Sequence, residues 1–236
     1  RATNFRKPGG FGLHRLFGAS AYAGWYFPSR LEYYFNKYAL LDFENADERQ
    51  RFARQYLGLL QRLTAANGGK RLLLKNPPNT GRISLLLELF PKARFVYLRR
   101  DPAEVFHSTI RMHRQLIDRF AVAPDGGLHL PDFVPAFYAR LVERYESEKG
   151  LIPAGHLVEI EYEQLTTAPE TVLQTIYEAL NLPGFSEALP AFRAFLETQK
   201  HFRPAEYRFS PEERTATVRL METGRPFSLT DKKMNV

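Results

Sequence analysis

The sequence predicts an α/β domain in which helices flank a parallel sheet. Three short apolar runs, at residues 71–75, 94–99 and 156–161, are typical of strands that are covered on both faces. Segments with helical periodicity separate these runs, so right-handed crossovers are expected to join parallel strands. A chain of 236 residues is long enough to bury one core of this kind.

Capping residues and glycine or proline stops define the other elements. Asn45, with Glu48 three residues later, predicts the start of a helix that Asn67-Gly68-Gly69 ends. Asn76–Asn79 contains two prolines, which disfavour both a helix and a sheet ladder, so a loop is expected. In chain order the predicted segments are an irregular stretch 1–45, helices 46–66, 80–89 and 102–117, a loop 120–131, a helix capped by Asp132 and closed by Gly150, a helix 167–180, and a weakly structured tail 204–236.

Composition favours an anionic partner. The formal net charge is +7 and the sequence pI is about 9.6. Nucleic acid is an unlikely partner because the charges are mixed along the chain rather than gathered in one basic run. With no cysteine, disulfides and thiolate chemistry are absent, which fits a cytoplasmic location. No metal site is predicted because the histidines are scattered, and no apolar run approaches a membrane span of roughly 20 residues.

The strand end at residues 94–100 and the helix after it predict a phosphate site. Asp101 can cap the helix, Pro102 suits its first position, and Glu104 completes a capping box. Free amides at the helix start would then face an anion, together with Arg100 and the hydroxyl of Ser108. The alternative is a surface arginine and a helix serine with no ligand.

Two other strand ends bring polar groups to the same edge of the predicted sheet. Lys75 follows Leu72-Leu73-Leu74, and Glu161-Tyr162 ends the last strand. Ligands of open parallel sheets lie beyond the carboxyl ends of the strands. Lys75 could neutralise charge on a transferring group, although a solvent-facing lysine is the simpler alternative. Arg82, in the Pro-rich stretch that follows, could also be available to a ligand.

These segments together resemble the sulfotransferase family in its broad bacterial-type branch. The resemblance rests on Leu-Lys75-Asn-Pro-Pro-Asn79-Thr-Gly-Arg82, on the stretch from Phe90 to Thr109, and on Glu161-Tyr162-Glu163-Gln164-Leu165. It implies a three-layer fold similar to that of P-loop NTPases, with 3′-phosphoadenosine-5′-phosphosulfate (PAPS) as co-substrate and no metal. One domain is expected, with residues 70–182 as its nucleotide-binding core and residues 1–45 on the acceptor side.

The resemblance also implies residue roles. Arg100 and Ser108 match the residues that hold the 3′-phosphate of the donor, and Tyr162 matches an adenosine contact. Lys75 matches a lysine near the transferring sulfuryl group. Arg203, in the basic stretch after Lys200, would belong to a late loop that closes over the nucleotide. The acceptor would be a small molecule, glycan or lipid with a hydroxyl or amine, in a pocket built from residues 1–60 and 118–135.

The sequence departs from the family pattern at two points. No Ser-Gly-Thr-Thr-like phosphate loop lies before residue 70, so the first strand and this loop either precede Arg1 or are missing, and reduced or absent catalysis is expected. Asn79 stands where many relatives carry a histidine, and an amide cannot accept a proton at neutral pH. His14, Asp42 or a segment outside the chain could supply the base.

Two other functions remain open on the sequence alone. One is a non-catalytic, basic module that binds nucleotides or polyanions. The other is a P-loop-type small-molecule kinase, which would need a Gly-x-x-x-x-Gly-Lys-Ser/Thr loop that this chain does not contain.

Overall fold

A computed structural model describes residues 20–200 of the chain. The predictions made for His14, Arg203 and the tail 204–236 lie outside these residues. Two strands are present, β1 at Phe95–Arg99 and β2 at Leu157–Glu161. The α-helices are α1 (Leu31–Ala39), α2 (Ala46–Ala66), α3 (Ile83–Leu89), α4 (Pro102–Phe120), α5 (Leu130–Glu148), α6 (Tyr162–Thr167), α7 (Pro169–Ala179) and α8 (Phe185–Gln199).

The two strands form a parallel pair. Their register runs from Phe95 opposite Leu157 to Arg99 opposite Glu161. Helix α5 packs on this pair: Tyr145 stacks on Tyr97 with ring centroids 3.8 Å apart and donates its hydroxyl to Glu159 at 2.6 Å. The predicted α/β class, with helices against a parallel sheet, is confirmed.

The predicted strand at residues 71–75 is wrong. This segment has no regular secondary structure, and the side chain of Leu73 is 75% exposed. A strand needs a neighbour for its ladder, and none of residues 20–200 pairs with this segment. Leu72 nevertheless packs on the same apolar cluster as Phe95 of β1, so the two segments lie against the same part of the core.

One edge of β1 has no strand beside it within the part of the chain that the structure describes. Strand β2 pairs with one side of β1, and no other strand formed by residues 20–200 pairs with it. On the face that carries them, Val96 and Leu98 are 45% and 43% exposed. The opposite face is covered, because Phe95 and Tyr97 pack against Ile83 and its neighbours.

Several element boundaries differ from the sequence prediction. Residues Pro77–Gly81 form a 3-10 turn rather than a loop, because both prolines fit the first two positions of a helical turn, whose N–H groups need no partner. Helix α3 therefore starts at Ile83, not at Thr80. The N-caps of α5 and α7 are His129 and Ala168, where Asp132 and Thr167 were expected. Helices α6 and α8 were not predicted. The expectation of an irregular stretch at 1–45 is wrong for residues 31–39, which form α1.

Two apolar clusters organise the helices. The first joins α2 to α3 through Phe52, Tyr56, Leu60, Leu85 and Leu86. The second, called here the α1–α5 cluster, joins the segment before α1 to α1 and to the start of α5. Its buried members are Ala21, Tyr22, Trp25, Leu31, Phe35 and Leu130. None of the helices in residues 20–200 has the length and apolar character needed to cross a membrane.

Candidate functional site

The strand register brings two of the predicted ligand-binding residues together. Arg99 and Glu161 end the paired strands and form an ion pair at 2.8 Å. Arg100 and Tyr162 follow Arg99 and Glu161 directly and therefore lie side by side. The guanidinium of Arg100 sits over the ring of Tyr162, 4.4 Å from its centroid. Arg100 and Tyr162 therefore form one surface at the carboxyl end of the sheet.

The start of α4 follows directly from Arg100. Asp101 is the N-cap, accepting a hydrogen bond from the Ala103 amide at 2.7 Å, and Pro102 takes the first helical position. Both features match the sequence prediction. Glu104, expected to complete a capping box, instead binds the Arg100 guanidinium: Nε donates to its carboxylate at 2.8 Å, and Nη2 lies 2.7 Å away.

Ser108 lies on the same face of α4 as Glu104. The two residues are four positions apart, which places them one helical turn from each other. The Ser108 hydroxyl donates to the carbonyl of Val105 at 3.0 Å, and its oxygen keeps acceptor capacity. Arg100, Glu104 and Ser108 thus form a line along the first two turns of the helix.

Lys75, the predicted site residue at the end of the 71–75 segment, is followed by Asn76. Lys75 is exposed in its irregular segment. Asn76 is 8% exposed, and neither the nitrogen nor the oxygen of its side-chain amide has a hydrogen-bond partner among residues 20–200. Leaving both ends of a buried amide unpaired is costly, so Asn76 marks a position where a ligand or another chain segment supplies a donor and an acceptor. Sequence reasoning missed Asn76, because its burial depends on tertiary packing.

Asn79 and Arg82 are fixed from behind by α1 and α2. The Tyr56 hydroxyl donates to Asn79 Oδ1 at 3.5 Å, and Arg82 Nε donates to the Tyr38 carbonyl at 2.8 Å. The Arg82 guanidinium also lies over the Phe52 ring, 5.3 Å from its centroid. Burial lowers the pKa of Arg82 to about 10. The expectation that Arg82 is available to a ligand is wrong, because its side chain is 2% exposed.

Asp42, considered as the base, and the titratable residue His113 both have hydrogen-bond partners within the fold. Asp42 accepts hydrogen bonds from Arg140 at 2.9 Å and from Arg144 at 3.3 Å, so its carboxylate joins α5 to the turn after α1. His113, which lies on α4, is 2% exposed. Its Nδ1 accepts from the Trp25 indole at 2.9 Å, and burial lowers its pKa to about 4, so the ring is neutral at pH 7.

A cavity of about 290 Å³ opens between α1 and α5, within the region predicted to bind the acceptor. Its lining residues are Glu32, Asn36, Leu128, His129, Asp132, Phe133, Ala136, Phe137 and Arg140. Tyr33, Tyr34 and Tyr38, which also belong to residues 1–60, do not line it. Phe35 is buried in the α1–α5 cluster, as core packing predicts.

Comparisons with known proteins identify the family of this chain. The sequence profile described as "Sulfotransferase family" matches residues 20–187. The chain is 32% identical over 145 residues to "Omega-hydroxy-beta-dihydromenaquinone-9 sulfotransferase Stf3" of Mycobacterium bovis, and equally to the protein of that name in Mycobacterium tuberculosis. Each alignment covers 61% of this chain and 37% of the relative. No solved structure matches. The family profile spans well over half of the chain, and the chain therefore belongs to the sulfotransferase family.

Proposed function

We propose that this chain carries the nucleotide-binding part of a sulfotransferase that moves a sulfuryl group from PAPS to a hydroxyl or amine. The observation that supports this best is the pairing of Arg100 with Tyr162 beside the capped start of α4. A cation, an aromatic face and a helix N-terminus at one point are what a phosphorylated adenosine requires. We also propose residues 70–182 as the nucleotide-binding core of a single domain.

The residues around the start of α4 fit the 3′-phosphate of the donor. Arg100 uses Nε and Nη2 on Glu104, and among residues 20–200 no hydrogen bond involves its Nη1. This nitrogen is a suitable donor for phosphate oxygens, and so is the Ser108 hydroxyl once it turns away from the Val105 carbonyl. The Tyr162 ring offers its other face to an adenine base. Glu104 holds the guanidinium in place before a ligand binds.

Lys75, Asn76 and Asn79 fit the part of the site where the group moves. PAPS supplies the sulfuryl group, and negative charge spreads over oxygens as that group transfers. The exposed ammonium of Lys75 would neutralise this charge. Asn76 would bind a group that both donates and accepts, and Asn79, anchored by Tyr56, would orient the acceptor. The residue that takes the acceptor proton is not among these, since an amide is not a base at neutral pH.

The relatives favour a lipid-like acceptor. The name of the two mycobacterial proteins specifies an ω-hydroxylated dihydromenaquinone as substrate. We propose for this chain an apolar acceptor with a hydroxyl group, which is narrower than the hydroxyl or amine acceptor expected from the sequence. The aligned stretch spans 37% of each relative, so the activity of the whole protein belongs to this proposal. The cytoplasmic location stays a prediction from composition.

Nucleotide discrimination by Arg100 tests the proposal. Wild-type chain should bind adenosine 3′,5′-bisphosphate, the product form of PAPS, at least about tenfold more tightly than AMP. Arg100→Ala should remove this preference while leaving AMP binding almost unchanged, as measured by isothermal titration calorimetry. Arg49→Ala is the matched control, because it removes an equal charge from an arginine of α2 that binds Glu88 of α3.

Two results would contradict the assignment. An equal loss of affinity for both nucleotides in Arg100→Ala would show that Arg100 does not read the 3′-phosphate. Binding to heparin or duplex DNA that is steeply salt-dependent, without preference for the bisphosphate, would support the polyanion-binding module instead.

A further inference from the structure

We propose that the cavity between α1 and α5 holds the apolar part of an uncharged alcohol, with its hydroxyl directed towards the Pro77–Gly81 turn. This inference rests on the proposed function only for the fate of that hydroxyl. The binding site itself follows from the lining, the charges and the position of the cavity.

The floor of the cavity is aromatic and firmly supported. Phe133 and Phe137 stack with centroids 5.7 Å apart. Buried Phe35 meets both of them edge-on, at 5.7 Å and 5.1 Å. Leu128 and Ala136 complete the apolar lining. A rigid apolar floor of this kind is typical of pockets for apolar ligands, since it gains from burial without ordering flexible side chains.

The rim is polar, but most of its charges are already paired. His129 Nδ1 lies 2.8 Å from the Asp132 carboxylate. Arg140 donates to Asn36 at 2.7 Å and to Asp42 at 2.9 Å. Glu32, the other charged residue of the rim, is exposed and forms no ion pair with residues 20–200, so solvent screens its charge and an anion gains nothing from it. An ionic ligand would also have to compete with the pairs made by Asp132 and Arg140. A neutral ligand with one hydroxyl fits such a rim better than an anion or a cation.

The cavity runs along α5 from the His129–Asp132 pair to Arg140. Asp132 and Arg140 are eight positions apart on the helix, or about 12 Å. A second cavity, lined by Leu40, Arg140, Glu143, Arg144 and Ser147, shares Arg140 with the first. Arg140 thus stands between the aromatic cavity and a more polar one that includes Leu40.

The Arg140 end lies next to the turn that carries Asn79. Leu40 follows Asn36 by one helical turn, and its amide donates to the Asn36 carbonyl at 3.2 Å. A Cβ atom on Gly81 would lie 3.2 Å from Leu40 and 3.0 Å from Leu141, the residue after Arg140. Both walls of the cavity therefore reach the turn within about one helical turn, or roughly 5 Å. An alcohol seated on the aromatic floor has its shortest route to the proposed site past Arg140.

Farnesol, an apolar primary alcohol, is a suitable probe, and the fluorescence of Trp25 can report its binding. Trp25 is the single tryptophan of the chain, and its indole donates to His113, whose ring lies 6.0 Å from that of Phe133. Farnesol should bind the full chain saturably and change this emission. Ala136→Phe should fill the cavity and weaken binding at least about tenfold. Ala136→Leu, a smaller change, is the second variant if the first folds poorly.

Two controls separate the cavity from the nucleotide site. Ala65→Phe makes the same substitution at an exposed helix position and should bind farnesol as wild type does. Adenosine 3′,5′-bisphosphate should bind all of these variants equally, which also confirms that they fold. Absence of farnesol binding, or unchanged binding in both Ala136 variants, would overturn the inference. If the Ala136 variants lose farnesol binding but Arg100→Ala keeps its preference for the bisphosphate, the proposed alcohol site is supported and the proposed function is contradicted.

Discussion

Glu104 occupies the guanidinium that a bound phosphate would need. Its carboxylate contacts both Nε and Nη2 of Arg100, with side-chain exposures of 35% and 26% for the two residues. The pair keeps Arg100 over Tyr162 in the absence of a ligand, but it also places a negative charge where an anion is expected. Glu104 therefore favours the correct rotamer of Arg100 and opposes the binding of phosphate.

Glu104→Gln should tighten the binding of adenosine 3′,5′-bisphosphate by about fivefold, because it removes the repulsion and keeps an acceptor for Nε. The affinity for AMP should change much less. Calorimetric titration at low and high salt checks this, since the gain should shrink as salt screens the removed charge. Glu88→Gln gives the same change in net charge at a remote ion pair. A weaker affinity in Glu104→Gln would show that positioning of Arg100 outweighs repulsion.

At the scale of single residues, the sequence predicts the role of a residue correctly when that role depends on its immediate neighbours in the chain. Asp101 and Pro102 were predicted correctly because a cap and a first-turn proline are set by their immediate neighbours. The burial of Arg82 and His113 was not predicted, because it depends on Tyr38, Trp25 and other residues distant along the chain. The signal that could have warned of this is their position among apolar neighbours at helical spacing.

The Pro77–Gly81 turn is positioned by a close backbone contact. A Cβ atom on Gly81 would lie 2.6 Å from the Ala39 carbonyl oxygen, so the C-terminal end of α1 touches the turn that carries Asn79. Arg82, the next residue, donates to the Tyr38 carbonyl one residue earlier in the same helix. Helix α1 therefore fixes the position of the proposed catalytic turn, Pro77–Gly81.

Gly81→Ala should destabilise the fold by about 1–3 kcal/mol, because the turn must move away from α1. Gly58→Ala is the control of opposite sign: no atom lies within 4 Å of its Cβ position, and replacing a helical glycine should stabilise α2 by about 0.5–1 kcal/mol. Urea unfolding measures both changes. Equal stability of Gly81→Ala and wild type would mean that the contact between the turn and α1 relaxes without cost.

Helices that are defined by their ends are predicted better from sequence than strands that need a neighbour. Helix α2 begins after Asn45, whose side chain accepts from the Glu48 amide at 3.0 Å, as the capping pattern predicts. Leu72–Lys75 has the composition of a buried strand but no partner within residues 20–200. Helix α8 was missed because Pro190 in its interior argues against a helix.

The α1–α5 cluster makes the stability of the whole molecule depend on pH. His113 lies among Trp25, Phe35 and Phe133, and burial lowers its pKa to about 4 from an ordinary value of 6.5. The unfolded chain therefore binds a proton more readily than the folded one between these two values. Folding stability contributed by neutral His113 is complete above pH 6.5 and is lost as the pH falls towards 4.

The free energy of unfolding should fall by about 2 kcal/mol more in wild type than in His113→Gln between pH 7 and pH 5. Glutamine can still accept from the Trp25 indole but does not titrate. Chemical denaturation at each pH, followed by Trp25 fluorescence, measures the difference. Parallel pH dependences for the two proteins would mean that His113 is hydrated or protonated in the folded state.

Across the whole molecule, the sequence predicted the α/β class and a parallel sheet, and the structure adds that residues 95–99 pair with residues 157–161. The spacing of strand and helix patterns carries this information, because crossover handedness leaves few alternatives. Membership of the sulfotransferase family was predicted from motifs and is confirmed. The packing of α1 against α5, and the cavity it creates, could not be predicted, because it depends on aromatic side chains from segments about one hundred residues apart along the chain.

The open edge of β1 has a practical consequence for anyone who handles this chain in solution. Within residues 20–200 no strand pairs with this edge, and such an edge beside half-exposed Val96 and Leu98 is a template to which an extended segment of another molecule can add. Self-association through this edge would increase with protein concentration and would be insensitive to nucleotide. Dilute samples, and a lysine substituted for Val96 to block strand addition, are the conditions under which the ligand titrations above report on single molecules.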